Sequence, residues 1–124
     1  MNKVCVIAGV GPGNGASLCR RFSAEGYTVV MLARNQDYLD SLSREIPGSI
    51  PMVCDVREPD AIKAIFSQIH DQTGPIDTLV YNAGSGQWTS IMETSVEGMH
   101  SSWATNALGL LVCAQQVIPG MSAR

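Results

Sequence analysis

Four short apolar runs alternate along the chain with segments of helical periodicity. The runs cover residues 4–8, 27–33, 50–56 and 76–84 and are rich in β-branched residues, which is typical of strands buried on both faces. Strands that alternate with helices in this way indicate a parallel sheet with helices on both faces. Because the crossovers between parallel strands are right-handed, the pattern predicts a doubly wound α/β fold with the strand order 3-2-1-4.

The first three helical segments carry recognisable start and stop signals. Gly26 is expected to end the first helix. Asn35 can cap the second helix, and Pro59 suits the first position of the third, where its missing N–H is not needed. The third segment has an apolar stripe at the spacing i, i+3, i+4, i+7, which consists of Ile62, Ile65, Phe66 and Ile69.

The last helical segment is the longest. Thr94 and Glu97 have the spacing of a capping box, which predicts a helix from Ser95 to Ile118. Its larger side chains recur at helical spacing, and we assign this stripe to the core: Met99, Trp103, Asn106, Leu110, Cys113 and Val117.

Composition narrows the class of protein. A chain of 124 residues has the length of one domain, so 1–124 is read as a single unit. With 45% apolar residues, 15% charged residues and a net charge of −3, the chain is not expected to be disordered. We expect no nucleic-acid partner, because no basic stripe is present. The apolar stretch around Thr105 and Asn106 is shorter than the ~20 residues of a membrane helix, so we expect no membrane partner either.

The cysteines and the N-terminal region favour a cytoplasmic setting. Cys5, Cys19, Cys54 and Cys113 are scattered through apolar segments without metal-ligand spacing, so we predict small buried side chains and no metal site. The first apolar run is too short for a signal peptide.

A glycine cluster at residues 9–15 lies between the first strand and the first helix. Two registers fit its letters: Gly11, Gly13 and Ala16 match G-x-G-x-x-A, whereas Gly9, Gly13 and Gly15 match G-x-x-x-G-x-G. We prefer the second, because its first glycine directly follows the strand. Glycines at this point allow a pyrophosphate to approach the main chain at a helix N-terminus. The predicted phosphate wall consists of Gly9, Gly11, Pro12, Gly13, Asn14 and Gly15.

With this register, the whole chain resembles the short-chain dehydrogenase/reductase family. The resemblance is carried by Gly9-x-x-x-Gly13-x-Gly15, by Asp55-Val56 after the third strand, by Asn82-Ala83-Gly84 after the fourth, and by Asn106 on the next helix. It implies a Rossmann-type fold and an oxidoreductase that transfers hydride between a nicotinamide cofactor and an alcohol or carbonyl substrate. It also implies that Asp55 and Val56 flank the adenine, that Asn82, Ala83 and Gly84 lie beneath the adenosine ribose, and that Asn106 belongs to the catalytic tetrad.

The end of the second strand favours NADP(H), with NAD(H) as the other possibility. An NAD site uses an acidic residue here to bind the ribose 2′-OH, and this chain has Ala33. Arg34 follows, and its planar guanidinium suits a 2′-phosphate. The alternative is that Arg34 only stacks on the adenine. Pro12 stands where many NADP-dependent members of the family have a basic residue, and this counts against a preference for NADP(H) over NAD(H).

Three departures from the family pattern affect the functional expectation. Tyr81 replaces the first asparagine of N-N-A-G, and none of Tyr27, Tyr38 and Tyr81 has a lysine four residues on. In the family, a fifth strand with a catalytic serine and then Tyr-x-x-x-Lys follow the helix of Asn106. We therefore expect the cofactor-binding half of an enzyme, truncated before the fifth strand and inactive alone. A non-catalytic dinucleotide-binding module or complementing fragment is the alternative.

The open sheet edge favours a homo-oligomer that covers it, with a marginal monomer or an aggregation-prone fragment as the alternatives. The resemblance implies that the helix of Asn106 helps to form a dimer interface. Trp88, in the loop after the fourth strand, fits either a substrate pocket or a hydrophobic plug.

Overall fold

The four strands form one parallel sheet in the order β3-β2-β1-β4, as predicted. The computed structural model describes residues 2–124. Its strands are β1 (Val4–Ala8), β2 (Thr28–Ala33), β3 (Ile50–Val53) and β4 (Thr78–Tyr81). Its helices are α1 (Asn14–Ala24), α2 (Gln36–Glu45), α3 (Pro59–Thr73), α4 (Val96–Trp103) and α5 (Gly109–Ser122), with a π-helical turn at Ala104–Leu108 between the last two.

The core has two layers, one on each face of the sheet. Every residue of β1 is buried. Cys5 and Ile7 pack on the α1 and α2 side, whereas Val4, Val6 and Ala8 pack on the α3 and α5 side. A fully buried Ile or Phe contributes roughly 1.5–3 kcal/mol. Ile62, Phe66 and Ile69 of the predicted α3 stripe are fully buried, and Ile65 packs against them half-buried.

The local signals of α1 to α3 are confirmed. The Asn35 side-chain oxygen accepts a hydrogen bond from the Tyr38 N–H at 3.0 Å, which caps α2. Pro59 is the first residue of α3. The chain leaves α1 through Gly26, whose φ of 89° lies in the left-handed region that glycine adopts easily.

The third and fourth strands are shorter than predicted. β3 ends at Val53 rather than at residue 56, because the Asp55 carboxylate accepts the Arg57 N–H and turns the chain. β4 covers Thr78–Tyr81 rather than 76–84. Its last residue pairs with Ala8, the last residue of β1, so the ladder ends there.

The predicted start of the long helix is wrong. Ser95, not Thr94, is the N-cap, and its hydroxyl accepts the Gly98 N–H at 2.9 Å. The Thr94 hydroxyl instead donates to the Ser90 carbonyl. The helix is also not continuous: the Gly109 N–H bonds to the Ala104 carbonyl, five residues back, which defines the π turn. α5 then runs through Pro119 and ends at Ser122, beyond the predicted end.

The core stripe predicted for this segment is wrong at its first four positions, where Asn106 is exposed together with three large side chains. Met99 is 59% exposed, Trp103 55% and Leu110 44%, whereas Cys113 and Val117 are buried. Most of the positions that face the protein in α4 and the π turn are small instead: Gly98, Ser101, Ser102, Ala104 and Thr105. Leu108, at the end of the turn, is the exception and packs against the core. None of the helices described over residues 2–124 is long and apolar enough to cross a bilayer.

Candidate cofactor-binding site

A cavity of about 490 Å³ opens at the carboxyl ends of the strands. The carboxyl ends of parallel strands share one edge of the sheet, so the segments that follow β1, β2, β3 and β4 converge there. The structure brings twelve residues predicted from the sequence to its wall: Gly9, Gly11, Pro12, Gly13, Asn14, Gly15, Arg34, Asp55, Val56, Asn82, Ala83 and Gly84. Their binding of a cofactor remains a prediction.

The glycines of the turn after β1 fall into two groups. Gly9 has a φ of 94°, and a Cβ there would lie less than 3.0 Å from the Ala83 main chain. A Cβ at Gly15 would lie 2.5 Å from the Gly9 carbonyl oxygen. At Gly11 and Gly13, a Cβ would meet nothing within 4 Å. Packing therefore requires glycine at positions 9 and 15, and the other two glycines leave the main chain open to a ligand.

The N-terminus of α1 contributes to the cavity wall. Gly13 is the N-cap and provides no side-chain cap, and the first turn contains no acidic residue. The first N–H groups of a helix have no partner within the helix, and the helix dipole adds partial positive charge there. This arrangement can bind the oxygens of a phosphate group.

Asn82 joins the ends of β1 and β4. Its side-chain Nδ2 donates to the Gly9 carbonyl at 2.9 Å, and its main-chain N–H donates to the Ala8 carbonyl at 2.8 Å. The glycine turn and the Asn82-Ala83-Gly84 segment are thereby held against each other at the base of the cavity.

Asp55 is paired with Arg57, a cavity residue that the sequence reasoning missed. The Arg57 guanidinium binds the Asp55 carboxylate at 2.7 Å and also donates to the Ser101 hydroxyl at 3.2 Å. The hydrogen bond from the Arg57 side chain is the main reason why the pKa of Asp55 is lowered. The signal available in the sequence was Arg57 itself, a basic residue two positions after Asp55. The Asp55 carboxylate thus stabilises the turn after β3 and also lies on the cavity wall.

Arg34 is exposed at the cavity edge, directly after β2. Within residues 2–124 it forms no ion pair at 4.0 Å or less, although its charge also helps to lower the pKa of Asp55. Ala33, which precedes it, brings no carboxylate to this position. A guanidinium is therefore available at the edge where the sequence predicts a 2′-phosphate.

Asn106 is exposed and does not itself line the cavity. Its Oδ1 accepts the Ser85 N–H at 2.9 Å, and its Nδ2 donates to the Ser85 carbonyl at 2.7 Å. The neighbouring Thr105 and Ser85 do line the cavity. In this chain, the contacts of Asn106 fix the segment after β4, and its expected catalytic role remains a prediction.

Tyr81 is a second residue whose position the sequence reasoning missed. Its hydroxyl donates to the Thr105 carbonyl, and burial raises the pKa of that hydroxyl to about 12. The sequence shows that Tyr81 replaces the first asparagine of N-N-A-G, but it does not show that the Tyr81 hydroxyl bonds to Thr105.

The remaining candidates are simpler. Trp88 is fully exposed and does not line the cavity, so the hydrophobic-plug reading is wrong. The prediction that the cysteines are buried is confirmed. Burial raises the pKa values of their thiols to about 12 for Cys5 and Cys113 and to about 11 for Cys19 and Cys54.

Residues 3–124 match the sequence model of the family described as short chain dehydrogenase. The chain therefore belongs to the short-chain dehydrogenase family. It is similar to meso-2,3-butanediol dehydrogenase of Serratia marcescens, with 32% identity over 120 residues. That alignment covers 95% of this chain and 48% of the relative. The chain spans about half the length of the curated relatives that it matches.

Solved structures share the fold. A metagenomic short-chain oxidoreductase in complex with NADP superposes with a TM-score of 0.93 at 28% identity, over 98% of this chain and 57% of that one. Actinorhodin polyketide ketoreductase with NADPH gives a TM-score of 0.91 at 27% identity, over 98% of this chain and 48% of that one.

Proposed function

We propose that this chain binds NADP(H) in the cavity at the carboxyl ends of the strands and forms the cofactor-binding half of an oxidoreductase that acts on an alcohol or carbonyl substrate. The observation that carries the proposal is the turn after β1, where Gly11 and Gly13 leave open space in front of the α1 N-terminus. Bound there, a nicotinamide cofactor would supply hydride transfer.

The phosphates fit the glycine turn for a physical reason. The main chain at Gly11 and Gly13 carries no side chain that would hold a ligand away, and the first N–H groups of α1 provide donors for anionic oxygens. Gly9 and Gly15 give this turn its shape by packing against the Ala83 and Gly9 main chains.

The adenosine end fits the segments after β2 and β3. Asp55 and Val56 offer a carboxylate edge and an apolar surface to an adenine, and Arg34 offers a cation to a 2′-phosphate. The charge of Asp55 is balanced by Arg57, so its repulsion of a nearby phosphate is reduced. The two similar structures are complexes with NADP and NADPH, which supports the same class of cofactor here.

Titration with NADPH tests this proposal. Gly13→Val places a branched side chain in the open space, and we expect it to weaken NADPH binding by about tenfold or more while circular dichroism stays unchanged. Gly120→Val, near the end of α5 and away from the cavity, is the matched control and should bind like the unmodified chain. A folded Gly13→Val variant that binds NADPH as tightly as the control would contradict the proposal.

The second candidate function is a non-catalytic dinucleotide-binding module. Its basis is that none of Tyr27, Tyr38 and Tyr81 has a lysine four residues on, so residues 1–124 offer a dinucleotide site without that pair. Both functions use the same cavity. The coding sequence after Arg124 separates them, because a strand with a serine and then Tyr-x-x-x-Lys would support the enzyme.

We further propose that the chain associates with copies of itself in a reducing, cytoplasmic setting. β4 is an edge strand, and Met99 and Trp103 are more than half exposed on the helix that follows. The four cysteines are free and buried, as is usual where disulfides do not form. Sedimentation at several concentrations tests the association, and a constant monomer mass would contradict it.

A further inference from the structure

The π turn is held at two points, by the end of β4 and by the segment that follows it. On one side, the Tyr81 hydroxyl at the end of β4 donates to the Thr105 carbonyl inside the turn. On the other side, the Asn106 side chain makes two hydrogen bonds to the Ser85 main chain, at 2.9 and 2.7 Å. Tyr81 and Ser85 thus bracket the Asn82-Ala83-Gly84 segment, and their partners are consecutive residues of the turn.

Gly109 makes the Tyr81 contact possible. A Cβ at Gly109 would lie less than 3.0 Å from the Tyr81 hydroxyl oxygen and 2.7 Å from the Val56 carbonyl oxygen. The Gly109 N–H also closes the wide turn by bonding to the Ala104 carbonyl. The missing side chain at position 109 therefore lets the phenol reach the carbonyl of Thr105, the residue after Ala104.

The phenol is suited to holding a carbonyl rather than to exchanging protons. Tyr81 is partly buried among apolar residues, and burial raises its pKa to about 12, so the hydroxyl keeps its proton at neutral pH. Thr105 is itself buried, at 9% exposure. A hydrogen bond to a buried carbonyl stabilises the fold, and a buried carbonyl left without a donor is unfavourable.

We propose that Tyr81 is a positioning residue that fixes the π turn and thereby places Asn106 on the Ser85 main chain. Through this linkage, Tyr81 sets the geometry of the loop after β4 at the cavity wall. The proposal has two parts. The first, the linkage from Tyr81 through the π turn to Asn106 and Ser85, concerns the ligand-free chain alone. The effect on cofactor binding rests on the proposed function.

Amide hydrogen exchange in the ligand-free chain tests the first part. Tyr81→Phe keeps the ring and removes the hydroxyl, and we expect the Ser85 amide to exchange about three- to tenfold faster. The Asn82 amide, which bonds to the Ala8 carbonyl in the sheet, should be unchanged. Asn106→Ala should accelerate exchange of the Ser85 amide directly, because it removes the oxygen that accepts this N–H. Tyr27→Phe, in the other core layer, is the matched control and should change neither amide.

Two results would overturn the linkage. If Tyr81→Phe leaves the exchange rate of the Ser85 amide unchanged while Asn106→Ala raises it, Tyr81 does not act through Asn106. If Tyr81→Phe accelerates Ser85 and Asn82 equally, the hydroxyl only adds to overall stability.

NADPH titration tests the second part. We expect Tyr81→Phe and Asn106→Ala each to weaken binding a few-fold, and the double variant to be no weaker than Asn106→Ala alone, because both act on one linkage. Additive losses would overturn the coupling to the cofactor. If the unmodified chain does not bind NADPH, the proposed function and this second part fail, while the exchange result still decides the linkage.

Discussion

Arg57 holds Asp55 through both carboxylate oxygens. Its Nε lies 3.0 Å from Oδ1 and its Nη2 lies 2.7 Å from Oδ2, and its main-chain N–H donates to Oδ1 at 3.0 Å. Two planar groups joined in this way fix each other's orientation as well as their separation. The carboxylate in the turn after β3 is therefore already aligned before any ligand arrives.

This pair should make stability depend on pH. The hydrogen bond from the Arg57 side chain lowers the pKa of Asp55 in the folded chain. A carboxyl with a lowered folded pKa stabilises the protein above its unfolded pKa, about 3.9, and loses that contribution as the pH falls through the folded pKa. We expect Asp55→Asn to lower the Tm at pH 7, and the difference from the unmodified chain to shrink below about pH 4.

Thermal unfolding in steps from pH 7 to pH 3 measures this difference. Asp71→Asn, at an exposed position of α3 without an ion pair among residues 2–124, is the matched control. A Tm difference for Asp55→Asn that stays constant over the whole pH range would show that the charge of Asp55 is not the cause.

Arg34 should determine the choice between the two nicotinamide cofactors. A charge-assisted hydrogen bond to a 2′-phosphate contributes enough that Arg34→Ala should weaken NADPH binding by about ten- to a hundredfold, with little effect on NADH. Titration of both cofactors checks this. Arg44→Ala, in the last turn of α2 and outside the cavity, should leave both affinities unchanged. Equal affinities in the unmodified chain, or an unchanged preference in Arg34→Ala, would contradict the expectation.

Gly15 and Gly11 should respond differently to the same substitution. A Cβ at Gly15 would lie 2.5 Å from the Gly9 carbonyl oxygen and 2.7 Å from the Val10 Cα, so main chain must move. We expect Gly15→Ala to lower the free energy of unfolding by about 1–3 kcal/mol. Gly11→Ala meets nothing within 4 Å and should change it by less than about 1 kcal/mol. Denaturant unfolding compares the two, and equal losses would mean that the packing at Gly15 is not as described.

The chain alone should not turn over a carbonyl substrate, even when it binds NADPH. A positioned proton donor contributes ~10²–10⁴ in rate. Tyr81, which directly precedes the cavity residue Asn82, donates to the Thr105 carbonyl instead. Steady oxidation of NADPH with a panel of carbonyl compounds, above a blank without protein, would refute this expectation and indicate a donor not yet recognised.

The sequence predicted the sheet and most of the cavity wall because both follow from the alternation of strands and helices. Once the strands are parallel and in the order 3-2-1-4, the residues after each strand must converge at one edge. Gly9 could be placed because it directly follows β1. Asn35 and Pro59 could be placed because helix starts depend on nearby residues.

What the sequence could not predict depends on tertiary contacts. The 3.6-residue period passes through positions 104–108 without a break, so nothing local announced the π turn. Large side chains at Met99 and Trp103 suggested an inward face, whereas the inward face consists of small residues such as Gly98 and Thr105. The Arg57–Ser101 contact joins residues 44 positions apart, and the Tyr81–Thr105 contact joins residues 24 positions apart.

The close approach of Gly9 to Ala83, together with the Asn82 hydrogen bond to the Gly9 carbonyl, has a thermodynamic consequence for binding. At the base of the cavity, the main chain of the glycine turn after β1 packs directly against the main chain of the segment after β4. The two segments therefore cannot separate without breaking both contacts. A ligand that enters there need not order this part of its site, and little conformational entropy is lost on binding. Calorimetry should accordingly show a small change in heat capacity, set by the surface that the ligand buries rather than by folding of the loops.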